Sequence, residues 1–278
     1  MKKTFFVALT LALSCCTLGD VPTSPTPSEP SIDSHPIFHA TIDSEDDSRV
    51  YFDDKIRIRW TADDRISLFE GTTRNKQYKF LGETGDNAGD FDYVKAGFGT
   101  GNDVDRYYAI YPYVSTNKLH EDGYITYTFP TTQHYAVGSI GLDANVMVAV
   151  TADLDDYDLR FRNACSYLRV MLYGENQTVG SITLTAIGGE ALTGKAYITP
   201  SYGDTPTTQM IESGNTVTLS CGDGVSIGAT REDATAFWIV VPPFTASQGI
   251  SVTINGYYGG SQTYNITSEV PFARNLYN

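Results

Sequence analysis

The segment Gly189-Glu190-Ala191-Leu192-Thr193-Gly194-Lys195 has the glycine and lysine spacing of a phosphate-binding loop. Such a loop holds phosphate on the free amides of a following helix and needs Ser or Thr after the lysine. Here Ala196 follows and the next residues read as a strand, so the segment is two turns and not a nucleotide site. The acidic runs from Asp43 to Asp47 and from Asp153 to Asp158 offer oxygen ligands for calcium. An EF-hand loop needs glycine at its sixth position and glutamate at its twelfth, and Asp158 and Ala164 stand in those places. Solvated turns are the reading, with a weak calcium site as the alternative. His35 and His39 are four apart, but Pro36 lies between them in an extended stretch, so no helical turn joins the imidazoles. His120 and His134 are isolated. Cys165 and Cys221 read as two small buried apolar side chains. An exported chain could pair them, and neither has the close-spaced partners of a metal site. No nucleophile elbow, zinc-protease helix motif or paired Cys and His spacing is present. The expectation is therefore no enzyme, no metal and no cofactor. Tyr257, Tyr258 and Tyr264 could stack on a sugar, although in strands and hairpins such rings more often form cross-strand packing pairs.

The remaining reactive side chains are Cys15 and Cys16. They follow a basic start, Met1-Lys2-Lys3, and an apolar run through Leu13. That order is the pattern of a secretory signal, and the run is shorter than the roughly 20 apolar residues that span a bilayer. A cysteine at the break resembles the lipobox of bacterial lipoproteins, in which the thiol is acylated and the cysteine becomes the new N-terminus. Either cysteine serves; Leu13, three places before Cys16, favours Cys16. One acyl chain holds a protein only marginally, at about 0.8 kcal/mol per buried CH₂, and the resemblance implies two or three chains. The implied location is the cell outer membrane, with the rest of the chain surface-exposed and never crossing it.

The elements that would carry these residues are strands. The chain has 278 residues, 19 Tyr, 13 Phe and a formal net charge of −14. Loss of the leader removes Lys2 and Lys3 and no acid, so the mature chain is more acidic still. An acidic surface argues against nucleic acid and anionic lipid as partners. Residues 1–15 read as the signal and 16–36 as a tether, held extended by Pro22, Pro25, Pro27 and Pro30. Beyond it lie short alternating stretches, among them Ile37–Ile42, Ile56–Trp60, Arg65–Phe69, Gln77–Leu81, Tyr107–Tyr113, Tyr124–Phe129, Leu159–Phe161 and Tyr167–Tyr173. Val146–Val150 is unbroken and apolar, as a strand covered on both faces would be. Phe237–Val241 is the most apolar strand, and Ile250–Tyr257 with Gln262–Ile266 reads as a hairpin. The spacing predicts an all-β chain of two tandem β-sandwich domains, 37–163 and 164–278.

A set of motifs then resembles one family. Trp60-Thr61-Ala62-Asp63-Asp64-Arg65-Ile66 is similar to a signature of the fimbrillin-like (Mfa-like) lipoproteins of Bacteroidetes. Similar stretches follow in the family's order: Tyr78–Phe80 with Gly82–Gly85, Tyr108–Pro112, Met147–Thr151, Phe161–Cys165, Cys221–Val225 and Ala236–Pro243. The resemblance covers nearly the whole mature chain. It implies transthyretin-like sandwiches, a structural or adhesive role in a fimbria, and as partners other fimbrial subunits and a host or bacterial surface ligand. It also implies assembly by strand exchange, in which a protease cuts after a basic residue, the first strand leaves and a neighbour's strand fills the groove. Here the leaving strand would be Ile37–Ile42 and the cut would follow Arg49, a residue equally suited to a turn. Arg274-Asn275 matches the start of the family's last strand, but Asn278 ends the sequence. The expectation is a member that donates no strand, as a tip or accessory subunit would, or an incomplete chain. The alternative function is a carbohydrate-binding surface lipoprotein for nutrient capture.

Overall fold

A computed structural model describes residues 35–42, 58–97, 101–141, 144–212, 214–276 and 278. Cys15, Cys16, the proline tether and Arg49 lie outside the described residues, as do Asp43 to Asp47. The described residues from His35 on form one compact unit, and its regular elements are all strands. In chain order they are β1 (Phe38–Ile42), β2 (Arg65–Phe69), β3 (Lys76–Phe80), β4 (Ala88–Ala96), β5 (Tyr108–Tyr111), β6 (Lys118–Leu119), β7 (Ile125–Phe129), β8 (Thr132–His134), β9 (Met147–Val150) and β10 (Asp158–Asn163). They continue as β11 (Ser166–Leu172), β12 (Thr178–Ala186), β13 (Gly194–Thr199), β14 (Thr207–Met210), β15 (Thr216–Ser226), β16 (Thr235–Val241), β17 (Phe244–Ala246), β18 (Ile250–Gly256), β19 (Ser261–Ile266) and β20 (Val270–Phe272).

The all-β expectation holds. Seven strands close into a ring in the order β1-β10-β9-β5-β2-β3-β4. Two larger sheets follow, β14-β13-β7-β6 and β19-β18-β12-β15-β8, with the ribbons β11-β16 and β17-β20. Alternation of side chains across each strand explains how the layers share cores. In β9, Met147 and Ala149 join the cluster inside the ring with Phe38, Trp60, Phe91 and Phe161. Val148 and Val150 point the other way, into a second cluster with Tyr127, Ile198 and Val240. That double burial is why β9 reads as an unbroken apolar run. β16 works the same way: Trp238 and Val240 enter the second cluster, while Phe237, Ile239 and Val241 enter a third with Ile182, Leu184 and Leu219.

Two ladders join strands from either side of the expected division at 163/164. β7 pairs antiparallel with β13, from Phe129 opposite Gly194 to Ile125 opposite Ile198. β8 pairs parallel with β15, Thr132 opposite Thr218. Strands β6–β8 thus lie in the first half of the sequence but share sheets with strands of the second, equally in β14-β13-β7-β6 and as one strand of five in β19-β18-β12-β15-β8. A second difference concerns Ile56–Trp60. Its described part, Ile58–Trp60, is not a strand. Trp60 instead anchors a turn: its N–H donates to Asp86 O at 2.9 Å, and Gly85 N–H donates to Trp60 O at 2.8 Å.

Candidate functional site

β1 is held on both edges. It runs parallel to β10, with Ala40 opposite Leu159, and antiparallel to β4, with Phe38 opposite Phe91. Phe38, Ala40 and Ile42 face the ring core, whereas His39 is exposed. The Phe38 ring meets Tyr107 edge-on at 4.9 Å and Tyr78 edge-on at 5.6 Å. A five-residue segment therefore supplies both ladder hydrogen bonds and alternate core side chains, the two contributions by which an added strand binds. Without β1, the ring would present two unpaired edges and an apolar floor.

The chain just before β1 is fixed by a polar cluster that the sequence did not reveal. Glu70 follows β2, and its Oε2 accepts from Lys76 Nζ at 2.8 Å, Tyr78 Oη at 2.8 Å and His35 Nδ1 at 2.9 Å. The His35 ring stacks on Tyr93 of β4 at 3.6 Å. The three carboxylate partners lie at positions 35, 76 and 78, and no local spacing relates the first to the others; only the folded ring joins them. Burial by itself would raise the Glu70 carboxyl, but the hydrogen bonds from Lys76, Tyr78 and His35 outweigh it and hold the group below the ordinary carboxylate range. A carboxyl held low in the folded state stabilises it above the unfolded pKa of about 4.3, and that stabilisation is lost as pH falls through the folded value. Glu70→Gln should therefore lower stability at neutral pH by about 1.5–3 kcal/mol, the worth of a hydrogen bond to a charged group. It should also flatten the acid limb of the stability profile, as urea unfolding at pH 7 and pH 4 would measure.

The aromatic candidates sit on and beside one hairpin. Tyr257 and Tyr258 occupy the β18–β19 turn and Tyr264 lies on β19 opposite Val252. Tyr258 is 87% exposed and Tyr257 44%. Their rings stand perpendicular at 5.1 Å, so the pair forms an angle, not a flat shelf. Gly224 positions Tyr257: it has φ +89°, and a Cβ there would come within 2.8 Å of the tyrosine ring. Tyr264 Oη donates to Gln262 Oε1 along the same strand at 2.8 Å.

The other sequence candidates have structural roles. Cys165 and Cys221 are free and buried. Burial pushes their thiols up, to about 12 and about 11, far from the reactive thiolate. Carboxylates of the Asp153 to Asp158 run cap their own turn: Asp153 Oδ1 accepts from Asp155 N–H at 2.9 Å, and Asp156 accepts from Ala152 and Asp158 N–H at 3.0 Å each. Lys195, the lysine of the phosphate-loop look-alike, lies on β13 and pairs with Glu212 at 2.8 Å. His39 pairs with Asp90 at 2.9 Å, so the two histidines of the opening segment go to different carboxylates. A hollow of about 280 Å³ opens beside Thr61–Arg65 and Tyr111–Tyr113. Asp64 there already accepts from Thr61 N–H at 2.7 Å and from Tyr111 Oη at 3.2 Å.

No family model matches the chain, and no curated protein matches it significantly. Among solved structures it is similar to a proposed cell adhesion protein from Bacteroides ovatus, with 14% identity over 77% of this chain and 80% of that one and a TM-score of 0.46. It is similar to a proposed cell adhesion protein from Bacteroides uniformis, with 16% identity over 86% and 88% and a TM-score of 0.45. It is also similar to the tip fimbrial protein Mfa3 from Porphyromonas gingivalis with a C-terminal truncation, with 10% identity over 83% and 80% and a TM-score of 0.36.

Proposed function

We propose that this protein is a surface lipoprotein acting as a structural or adhesive subunit of a fimbria, delivered to the outer membrane through Cys16 or Cys15. The observation that carries the reading is β1, a short strand paired on both edges whose Phe38, Ala40 and Ile42 seal the ring core. The ordered family motifs of the sequence support it. In this reading a cut after Arg49 separates β1 from the rest of the chain, and a neighbouring subunit's strand takes its place beside β4 and β10. The incoming strand repeats the alternation of β1, apolar at three positions, because the floor it covers is the same. N-terminal sequencing of the surface-assembled protein tests this: a start at Val50 is expected, and a start at Cys15 or Cys16 would rule out processing. Laddering in mild detergent should accompany assembly, since exchanged strands dissociate slowly.

The exposed Tyr258 favours a second reading, carbohydrate capture at the β18–β19 turn. On that reading Tyr258→Ala removes binding to a defined polysaccharide and leaves stability within about 0.5 kcal/mol, as for an ordinary surface change. A glycan-binding assay with parallel thermal melts separates the two readings.

A further inference from the structure

Among the described residues β19 is the last strand of its sheet, paired with β18 on one edge alone. Gly256 N–H donates to Gly260 O at 3.0 Å at the mouth of the hairpin. Antiparallel pairs alternate between hydrogen-bonded and open, so Gln262, Tyr264 and Ile266 bond to β18. Ser261, Thr263 and Asn265 turn their N–H and C=O groups outward. Natural sheets blunt such an edge with lysine, proline, a bulge or a covering loop. Among the described residues β19 has none of these: its pairing with β18 is regular, its six residues include no charge or proline, and every one is exposed. Tyr264 and Ile266 stand in register with Val252 and Ile250, on the side of the sheet that packs the third core cluster, yet they remain 55% and 47% exposed. The core-facing row thus runs past its cover.

Charge identifies what pairs there. In a chain of net charge −14, residues 234–268 contain no Asp, Glu, Lys, Arg or His, and neither does β12 behind the hairpin. Two copies repel through their acidic surfaces, and this uncharged corner is where they meet with least opposition. A basic partner would be drawn to the acids and not to this strip.

We propose that β19 is a self-association edge, at which a second copy of this chain adds its own β19 antiparallel across a two-fold axis at Thr263. Such an axis makes the contact self-complementary. Thr263 faces Thr263 of the copy and Ser261 faces Asn265, giving about six backbone hydrogen bonds, two for each hydrogen-bonded pair. Each copy's uncovered Tyr264 lies against Gln262 of the other, and the two sheets become one. The inference stands apart from the exchange of β1, which uses the opposite end of the sequence and a different sheet.

The test uses the full chain with Cys15 and Cys16 replaced by Ser, so that no acyl group or leader thiol contributes. Light scattering at about 100 μM, well above a micromolar Kd, should give a dimer. Thr263→Pro, which removes an outward N–H that β18 does not use, should give a monomer. Thr263→Cys places two thiols on residues about 5.5 Å apart at Cα, inside the range a disulfide bridges. It should become a covalent dimer under mild oxidant, while Tyr258→Cys, more exposed but off the paired edge, stays monomeric. A parent chain that is monomeric with no Thr263→Cys cross-link overturns the proposal, and so does a dimer that a folded Thr263→Pro variant retains.

Discussion

Phe38→Ala should lower the unfolding free energy by about 3–5 kcal/mol, the usual cost of deleting a buried aromatic ring. Phe38 is fully buried, sits opposite Phe91 across the β1–β4 ladder, and lies against the rings of Tyr78, Tyr107 and Tyr157. The neighbours belong to β3, to the residue before β5 and to the turn before β10, so the strands around the hole cannot collapse together to fill it. Edge-on ring contacts add about 0.5–1.5 kcal/mol each beyond area burial, which puts the loss toward the upper part of the range. The next residue is the control. His39 is exposed and its pair with Asp90 is exposed, so His39→Ala should cost under about 1 kcal/mol. Urea titrations of both variants measure the contrast. Equal losses at 38 and 39 would mean that β1 is not seated by its alternate side chains.

Trp60 carries the second large effect. Its indole is 1% exposed and is ringed by Phe80, Phe91, Tyr111 and Phe161 at 5.0–5.7 Å between centroids. Trp60→Ala should cost about 3–5 kcal/mol. Trp60→Phe separates packing from polarity. The indole Nε1 is buried with no hydrogen-bond partner among the described residues, a group that costs about 1–3 kcal/mol to leave unpaired. Phenylalanine keeps a six-membered ring and removes that N–H, so the cavity left is smaller and the loss should fall clearly below that of Trp60→Ala. A thermal melt in which Trp60→Phe is as damaging as Trp60→Ala would show that the indole itself, and not the volume it fills, decides stability at this position.

These residues also mark what the sequence made legible. Phe38, Ala40 and Ile42 alternate inward because a strand has a period of two, and the same rule located β2, β7, β10 and the β18–β19 hairpin. The double apolar face of β9 was readable because burial on both sides needs an unbroken run. The rule misread Trp60, whose neighbours alternate although the described residues there are not a strand. It was blind to β8 as well, since Thr132, Gln133 and His134 carry no apolar signal. Gln133 is nevertheless buried, and its side-chain amide takes both bonds that a neighbouring strand would make to Val240, accepting from its N–H at 2.9 Å and donating to its C=O at 2.6 Å. The Glu70 cluster and the parallel pairing of β1 with β10 depend on residues far apart in sequence, and no local pattern encodes either.

The passage of residues 118–134 into sheets shared with the later half has a mechanical consequence. On the fimbrial reading proposed above, a protein moored to a cell and holding another surface would be loaded by flow. Tandem modules joined by one linker would peel apart in sequence under such a load, each lengthening the chain as it gave way. Here a segment of the earlier half is clamped by ladders on β13 and β15, so the halves cannot separate until those ladders shear, and tension spreads across the whole body.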